Sequence, residues 1–411
     1  MYRNGLVLGH TIECFDNTLY GFFVFILSPI FFPCDNEFVQ NLNSFGAFAA
    51  GYITKPIGAY VFGMIGDRKG ITLPLTLSIG LAGVPTLIIG FLPGVDYIGY
   101  WAPIILVCCR MVQGFLYGGE FSGVNIYIYE TVPAHNHGKA TSSLISFGVI
   151  GAILATISGM IILSSNDYTF KWRFPFIIGG FLAFFCFNLR KTLSPVPVSK
   201  DVSSYKRSLG LLYKNYKIQL IFSFVLSGMT TIPLTLATVY SNKIYSDLNF
   251  SLYMAMGLNM TAMCINALIL RPAGWISDNL GFIKTIKLGC IISAVSSVLA
   301  FWLVSIGSSV YHALGFVSLM IVSGTIINGC AFPYMSSLFE KNIRYTGLAI
   351  SYTMGTGLLS GLSPLIATIL EKHFNNKIPI SLYVIIICIL TIKLLSILQS
   401  YKQEQMVVKM V

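Results

Sequence analysis

The sequence GMIGDRKG at residues 63–70 recurs in outline as GWISDNLG at residues 274–281. Each copy follows the second long apolar segment of its half of the chain, and this matched placement predicts a duplicated fold. The glycines permit sharp turns and close helix packing, and each aspartate can accept hydrogen bonds from the N–H groups that open a neighbouring helix. Because such a contact can form in one conformation and break in another, the motif supplies the candidate gating residues Gly63, Asp67, Arg68, Gly70, Gly274, Asp278 and Gly281. The alternative is that both aspartates are solvated turn residues.

The composition indicates a membrane protein. Of 411 residues, only 26 are Lys or Arg and 15 are Asp or Glu, while 55% are hydrophobic. A bilayer solvates apolar side chains and requires internal pairing of the backbone, so long apolar helices are expected. The net charge of +11 lies mostly in alternate loops and one central segment, which argues against nucleic-acid binding. His135 and His137 have no cysteine or acid at metal spacing, so no metal site is expected.

Runs of about twenty apolar residues predict twelve spans. In the first half they lie near 6–32, 43–66, 71–92, 101–130, 139–163 and 173–190. In the second half they lie near 218–241, 251–273, 284–306, 311–335, 345–370 and 378–399. We therefore expect an all-α polytopic membrane protein with an N-terminal six-helix bundle over 1–190, a polar linker over 191–217 and a C-terminal six-helix bundle over 218–411.

The basic residues predict the orientation. With a cytoplasmic N-terminus, seventeen Lys and Arg fall in inside segments and five fall in outside segments. The positive-inside rule then places both termini and the linker in the cytoplasm. The inside set is Arg3, Arg68, Lys69, Lys139, Arg190, Lys191, Lys200, Lys206, Arg207, Lys214, Lys217, Lys284, Lys287, Lys341, Arg344, Lys402 and Lys409. The outside set is Lys171, Arg173, Lys243, Lys372 and Lys377.

The first span carries two acids. Glu13 and Asp16 are three residues apart and Tyr20 follows by four, so all three share one helical face. Carboxylates are costly beside lipid, which favours a water-filled cavity and a role in carrying a proton or binding a cation. The alternative is that the pair lies in the interfacial layer. A cleavable signal peptide would not carry these charges, so we expect a retained span.

The fourth span carries an arginine about ten residues from its start. Arg110, Gln113 and Tyr117 follow one helical stripe, and Gly114 and Gly118 form a small-residue face for close helix contact. We expect Arg110 to meet a substrate anion or carboxylate. The alternative is a structural ion pair with Glu120 or Asp16. Lys55, which precedes Pro56 in the second span, is a further candidate cation.

These motifs resemble one known family. The run GHTIECFDNTLYGF at residues 9–22 is similar to the first span of the metabolite:proton symporters of the major facilitator superfamily. The similarity covers most of both halves, although the family's Trp and Arg are replaced by Cys14 and Lys55, and a basic pair by Ile71 and Thr72. The other matching stretches are FFP at 31–33, KPIG at 55–58, FGMIGD at 62–67, WAPI at 101–104, RMVQG at 110–114, GGE at 118–120, WRFPF at 172–176 and IRYTGLA at 343–349.

The resemblance implies a two-bundle fold that works by alternating access. It implies a bacterial inner-membrane protein that takes up a small polar metabolite with protons. Members carry zwitterions such as proline and glycine betaine, or carboxylates such as 2-oxoglutarate and citrate, and the first class is our expectation. The predicted substrate- and proton-binding residues are Glu13, Asp16, Tyr20, Lys55, Arg110, Gln113, Tyr117 and Glu120.

The sequence also predicts the binding partners of the protein and leaves several alternative functions to compare. We expect a small-molecule substrate, a lipid bilayer and a functional monomer, with no nucleic acid and no cofactor besides the proton gradient. The nearest rival keeps the fold and carries a dicarboxylate or tricarboxylate, with Lys55 as a second cation. An integral-membrane enzyme would need a polar catalytic cluster that these short loops do not offer. A receptor or channel would not need the duplicated motif.

Overall fold

The structure is a computed structural model that describes residues 3–34, 37–164, 168–196, 209–307 and 309–410. Throughout these ranges the regular structure is helical. Ten helical stretches in them are long and apolar enough to cross a membrane. The two long helices Arg3–Phe31 and Glu37–Lys69 occupy the first two predicted spans and complete the expected twelve.

By packing, the chain divides into two compact units. The first comprises residues 1–130 and 144–200, and the second comprises 131–143 and 201–411. The helix that starts at His137 therefore begins in the second unit and continues in the first. The predicted linker, 191–217, falls partly outside the described residues.

The first unit contains these helices: α1 Arg3–Phe31, α2 Glu37–Lys69, α3 Thr72–Phe91, α4 Val95–Ile98, α5 Trp101–Tyr117, α6 Glu120–Thr131, α7 His137–Leu163 (from residue 144 onwards), α8 Tyr168–Lys171 and α9 Arg173–Arg190. Its core packs the apolar half of α1 against α3, α5 and α9. Trp172 lies edge-on to Phe31 and to Phe176, with ring centroids 5.9 Å apart in each pair. Such edge-to-face pairs stabilise aromatic cores beyond their buried area.

The second unit contains these helices: α10 Leu209–Thr235, α11 Ser241–Asp247, α12 Leu252–Leu280, α13 Phe282–Ile306, α14 Val310–Ser336, α15 Arg344–Met354, α16 Ser363–Phe374 and α17 Ile380–Met410. Two π-helical segments, Leu236–Tyr240 and Gly355–Ser360, interrupt its first and fifth spans. The hydroxyls of Thr235 and Ser360 lie 2.6 Å apart and join these two interruptions.

The duplicated motif differs in detail from the expected turn. Gly63 and Gly274 lie inside α2 and α12, and only the last glycine of each copy leaves the helix. Gly70 has φ 93° and Gly281 has φ 84°, conformations that favour glycine. The chain therefore reverses at one residue, and the rest of the motif is helical.

The surface is that of a membrane protein. Large apolar side chains such as Ile53, Phe91 and Leu268 are exposed, the last to 75%. So many exposed apolar groups are unusual for a water-soluble monomer, whereas lipid solvates them. Prolines inside α1, α2, α3, α10, α12 and α14 fit this setting, because neighbouring helices can satisfy the freed backbone groups.

Helices α2 and α5 approach closely through glycine. A Cβ atom on Gly58 would overlap the carbonyl of Phe115, one on Gly114 that of Gly51, and one on Gly118 that of Lys55. Thr54 Oγ1 adds a hydrogen bond of 2.7 Å to the carbonyl of Met111. The predicted small-residue face is thus confirmed, and it fixes the side of α5 that carries Arg110.

Candidate functional site

Asp16 lies at the centre of a buried polar group between α1, α3 and α5. Gln113 Nε2 donates to Asp16 Oδ2 at 2.8 Å, and the Tyr117 hydroxyl lies 3.2 Å from the same oxygen. Thr86 Oγ1 lies 3.2 Å from Asp16 Oδ1 and 2.8 Å from Gln113 Nε2. Only 1% of Asp16 is exposed. A carboxylate this deep is stable only because these donors replace water.

Arg110 joins this group through the amide of Gln113. Its Nη1 donates to Gln113 Oε1 at 2.8 Å, and its guanidinium lies 4.4 Å from the ring centroid of Tyr20. Stacking on an aromatic face stabilises a guanidinium and fixes its plane. The structure thus brings together five of the predicted residues. They are Asp16, Tyr20, Arg110, Gln113 and Tyr117, and we call them the Asp16–Arg110 group.

The chemistry of this group suits an ampholyte. Its guanidinium can bind a carboxylate through two parallel hydrogen bonds, and its carboxylate can attract a cation. Because the group is almost fully buried, both interactions are strong when a ligand enters. The ring of Tyr20 is already stacked on Arg110, so Tyr20 positions the arginine.

Glu13 points to a different partner. Its Oε2 lies 3.4 Å from His10 Nδ1, one turn of α1 before Asp16, and both side chains are buried. The expected shared face of Glu13, Asp16 and Tyr20 is present, but Glu13 contacts His10 there. The sequence interpretation missed His10, although its i, i+3 spacing to Glu13 was a usable signal.

Glu120 requires a correction. It does not pair with Arg110 but with Arg190, at 2.5 Å, and it also contacts the Ser78 hydroxyl. Arg190, predicted as the last residue of the sixth span and counted among the inside basic residues, is the fully buried last residue of α9 and also donates to the carbonyls of Gly5 and Leu75. Gly9 leaves the space that its guanidinium occupies. A buried carboxylate needs a cation, and α9 supplies one.

Lys55 is not brought to Asp16. It is half-buried in α2, and its ammonium lies 4.5 Å from the ring centroid of Tyr52. This position offers no support for a second cation beside Arg110.

Asp278 makes the helix-terminus contact that the motif predicts. Its Oδ1 accepts from the backbone N–H of Gly138 at 2.7 Å, and its Oδ2 from that of Lys139 at 2.9 Å, at the start of α7 in the second unit. A Cβ on Gly138 would lie 2.5 Å from the carbonyl of Gly274, so two glycines allow this approach. An anion at a helix N-terminus is stabilised by the free N–H groups and the dipole.

The other copy of the motif ends the helix α2. Asp67 is buried in the last turn of α2, whereas Arg68 and Lys69 beside it are exposed. The gating role of both copies stays a prediction.

The polar residues of the second unit link helices. Asn266 accepts from Thr325 at 2.8 Å, Asn328 donates to the carbonyl of Thr230 at 3.2 Å, and Asn259 contacts Asn242 at 3.0 Å. These hydrogen bonds hold neighbouring helices together. Within the described ranges, no cluster of three or more His, Cys, Asp or Glu could hold a metal ion.

Thr86 and Arg190 were also missed. Both complete polar groups that involve helices distant in sequence, and a single sequence carries no signal for such pairings. Only the glycines that face them, such as Gly9 against Arg190, hint at the packing.

Residues 14–364 match the Major Facilitator Superfamily, and the chain therefore belongs to that superfamily of membrane transporters. The proline/betaine transporter of Escherichia coli (strain K12) is 29% identical over 405 residues, covering 93% of this chain and 80% of that protein. The putative proline/betaine transporter of Staphylococcus aureus (strain MSSA476) is 28% identical over 404 residues, covering 93% and 84%.

Solved structures show the same fold. A proton:xylose symporter bound to 6-bromo-6-deoxy-D-glucose superimposes with a TM-score of 0.77 at 18% identity, covering 94% of this chain and 93% of that one. The Escherichia coli fucose:proton symporter gives a TM-score of 0.69 at 14% identity, covering 96% and 97%. These comparisons confirm the predicted resemblance and the fold class. The chain is a multi-pass transporter, and such proteins are not enzymes.

Proposed function

We propose that this chain is a proton-coupled symporter for a small zwitterion such as proline or glycine betaine. The observation that carries the proposal is the Asp16–Arg110 group, in which a carboxylate and a guanidinium are buried together on α1 and α5. Buried ionisable groups at this depth are costly and are typical of substrate and ion pathways. The names of the two relatives agree with this substrate class.

The group would bind the two ends of a zwitterion separately. Once its hydrogen bond to Gln113 breaks, Arg110 would form two parallel hydrogen bonds with the substrate carboxylate. Asp16 and the ring of Tyr117 would face the ammonium end of the substrate. A ligand without net charge leaves the total charge of the Asp16–Arg110 group unchanged. This limits the free-energy cost of moving the ligand through a site of low dielectric.

Alternating access would involve the two copies of the motif. We propose that the bond from Asp278 to the first turn of α7 forms in one state and breaks in the other, and that Asp67 acts equivalently. We propose that the protein lies in the bacterial inner membrane, as the resemblance implies, with both termini in the cytoplasm, an orientation that the excess of basic residues in the inside segments supports. Arg190 is buried and is therefore removed from the count of inside basic residues. The excess of inside over outside basic residues remains without it.

The test is uptake of radiolabelled glycine betaine or proline into proteoliposomes that contain the purified protein. An inside-alkaline pH gradient should drive accumulation, and a protonophore should abolish it. Accumulation that is indifferent to the protonophore would remove the symport proposal. If unlabelled 2-oxoglutarate or citrate competes better than glycine betaine, the carboxylate rival is correct.

A further inference from the structure

His10 and Glu13 form a buried pair on α1. His10 is 5% exposed and Glu13 is 6% exposed, and Nδ1 lies 3.4 Å from Oε2. This distance is slightly longer than an ordinary N–H···O hydrogen bond, so a small movement of either side chain would form one. Asp16, one turn further along the same face, has donors from α3 and α5 instead.

The surroundings of the imidazole are shaped for it. Its ring stacks on Phe121 with centroids 4.7 Å apart and planes at 27°. On another side, a Cβ on Gly148 of α7 would overlap Nε2 and would lie 2.9 Å from the sulfur of Cys14. Only glycine at position 148 leaves room for His10, which indicates a fitted niche.

The groups that face His10 can be named element by element. On α1 they are Glu13 and Cys14, whose Sγ lies 3.7 Å from Nε2. Helices α6 and α7 present the uncharged Phe121 and Gly148, and α9 presents Arg190 beside Gly9. Three other charged side chains of the neighbouring helices contact different residues: Glu120 on α6 contacts Arg190, Lys55 on α2 contacts Tyr52, and Arg110 on α5 contacts Gln113 and Tyr20.

The buried charges of α1, α5, α6 and α9 do not balance. Among the described side chains of these four helices, three carboxylates are buried, and two guanidiniums are buried with them. They are Glu13, Asp16, Glu120, Arg110 and Arg190. With a neutral His10 the set carries one excess negative charge, and an uncompensated charge at this depth is strongly unfavourable. One proton on the His10–Glu13 pair restores neutrality.

We propose that His10 and Glu13 together form the proton-binding site of this transporter, separate from the substrate-binding Asp16–Arg110 group. The proposal rests on the proton-coupled uptake proposed above. A single proton from the water on one side binds to the pair and gives an imidazolium beside a carboxylate, or a neutral imidazole beside a carboxylic acid. The same proton leaves on the other side, and no other bond forms or breaks. The proton is shared by the pair, because His10 Nδ1 and Glu13 Oε2 lie 3.4 Å apart.

The experiment compares two transport modes in proteoliposomes with purified Glu13→Gln and His10→Gln proteins. Net accumulation of glycine betaine needs proton binding and release, whereas counterflow of labelled against unlabelled betaine needs only reorientation of the loaded carrier. With the membrane potential clamped at zero, a gradient of about one pH unit should give about tenfold accumulation in the wild type for one proton per zwitterion. Both variants should lose this accumulation and retain counterflow within about twofold, since only the proton site is removed.

The matched control is Thr11→Val on the adjacent position of α1, whose hydroxyl donates to backbone carbonyls. It should accumulate betaine like the wild type. If Glu13→Gln does not elute as a folded protein, His10→Gln carries the test. Accumulation that persists in the variants, or counterflow lost in a variant with a wild-type melting temperature, overturns the assignment of the pair. A wild type with counterflow but no gradient-driven accumulation instead contradicts the proposed symport.

Discussion

Replacing Glu120 by glutamine would leave the guanidinium of Arg190 buried without its counter-charge. Both side chains have no exposed surface, and their atoms approach to 2.5 Å. Removing one partner of a buried ion pair typically costs about 3 to 5 kcal/mol, because the remaining charge is desolvated and unpaired. The carbonyls of Gly5 and Leu75 still accept from Arg190, so we expect the lower end, about 3 kcal/mol.

In a compact unit of this size, that loss corresponds to a melting temperature lower by roughly 6 to 12 °C. The assay is thermal unfolding of the purified protein in detergent, with all variants heated at the same rate because unfolding of such proteins is commonly irreversible. Lys191→Ala is the matched control: this lysine is adjacent to Arg190 but exposed, over the ring of Phe187, and its loss should leave the midpoint unchanged.

The double variant Glu120→Gln with Arg190→Gln sharpens the test. It removes both charges, so it should be more stable than Glu120→Gln alone. The losses of stability caused by the two single changes should not add up in the double variant. A Glu120→Gln protein that melts within about 1 °C of the wild type, where surface substitutions normally fall, would refute the ion-pair reasoning.

Two further predictions concern helix contacts. Gly114→Leu should prevent the approach of α2 to α5 and abolish both folding yield and transport, whereas Gly21→Ala, where a Cβ meets open space, should change neither; a stable Gly114→Leu protein on size-exclusion chromatography would contradict the packing account. Asp278→Ala should lose its two backbone hydrogen bonds to Gly138 and Lys139 and alter the rate of counterflow, while Asn279→Ala should not; equal rates in both variants would remove the proposed gate.

Periodicity within one helix was sufficient to predict much of the site. The stripe of Arg110, Gln113 and Tyr117 on α5, and the face of Glu13, Asp16 and Tyr20 on α1, follow from helical geometry alone. The spans were also predictable, since the bilayer imposes a minimum apolar length. The boundaries were less so: α2 begins at Glu37 and α12 continues to Leu280, because polar helix ends extend beyond the apolar run.

Pairings between helices were not predictable from the sequence. Arg110 could be paired with Glu120 by their proximity within span four, but the rotation of α6 turns Glu120 to Ser78 and Arg190. Arg190 was grouped with the basic residues on the cytoplasmic side because six more basic positions and two prolines follow it within 191–217. Its burial depends on Gly9, whose missing side chain creates the space, and the meaning of that glycine appears only when α1 and α9 are packed.

Binding of glycine betaine by the Asp16–Arg110 group is tested most directly by counterflow in proteoliposomes that contain Asp16→Asn or Arg110→Ala. Loss of one charge from a buried, hydrogen-bonded site should cost at least about 2 kcal/mol, or about thirtyfold in apparent affinity. We predict that both variants remain folded and lose betaine counterflow by at least that factor. Counterflow at wild-type affinity in both variants would show that substrate binds elsewhere, and the central claim would be wrong.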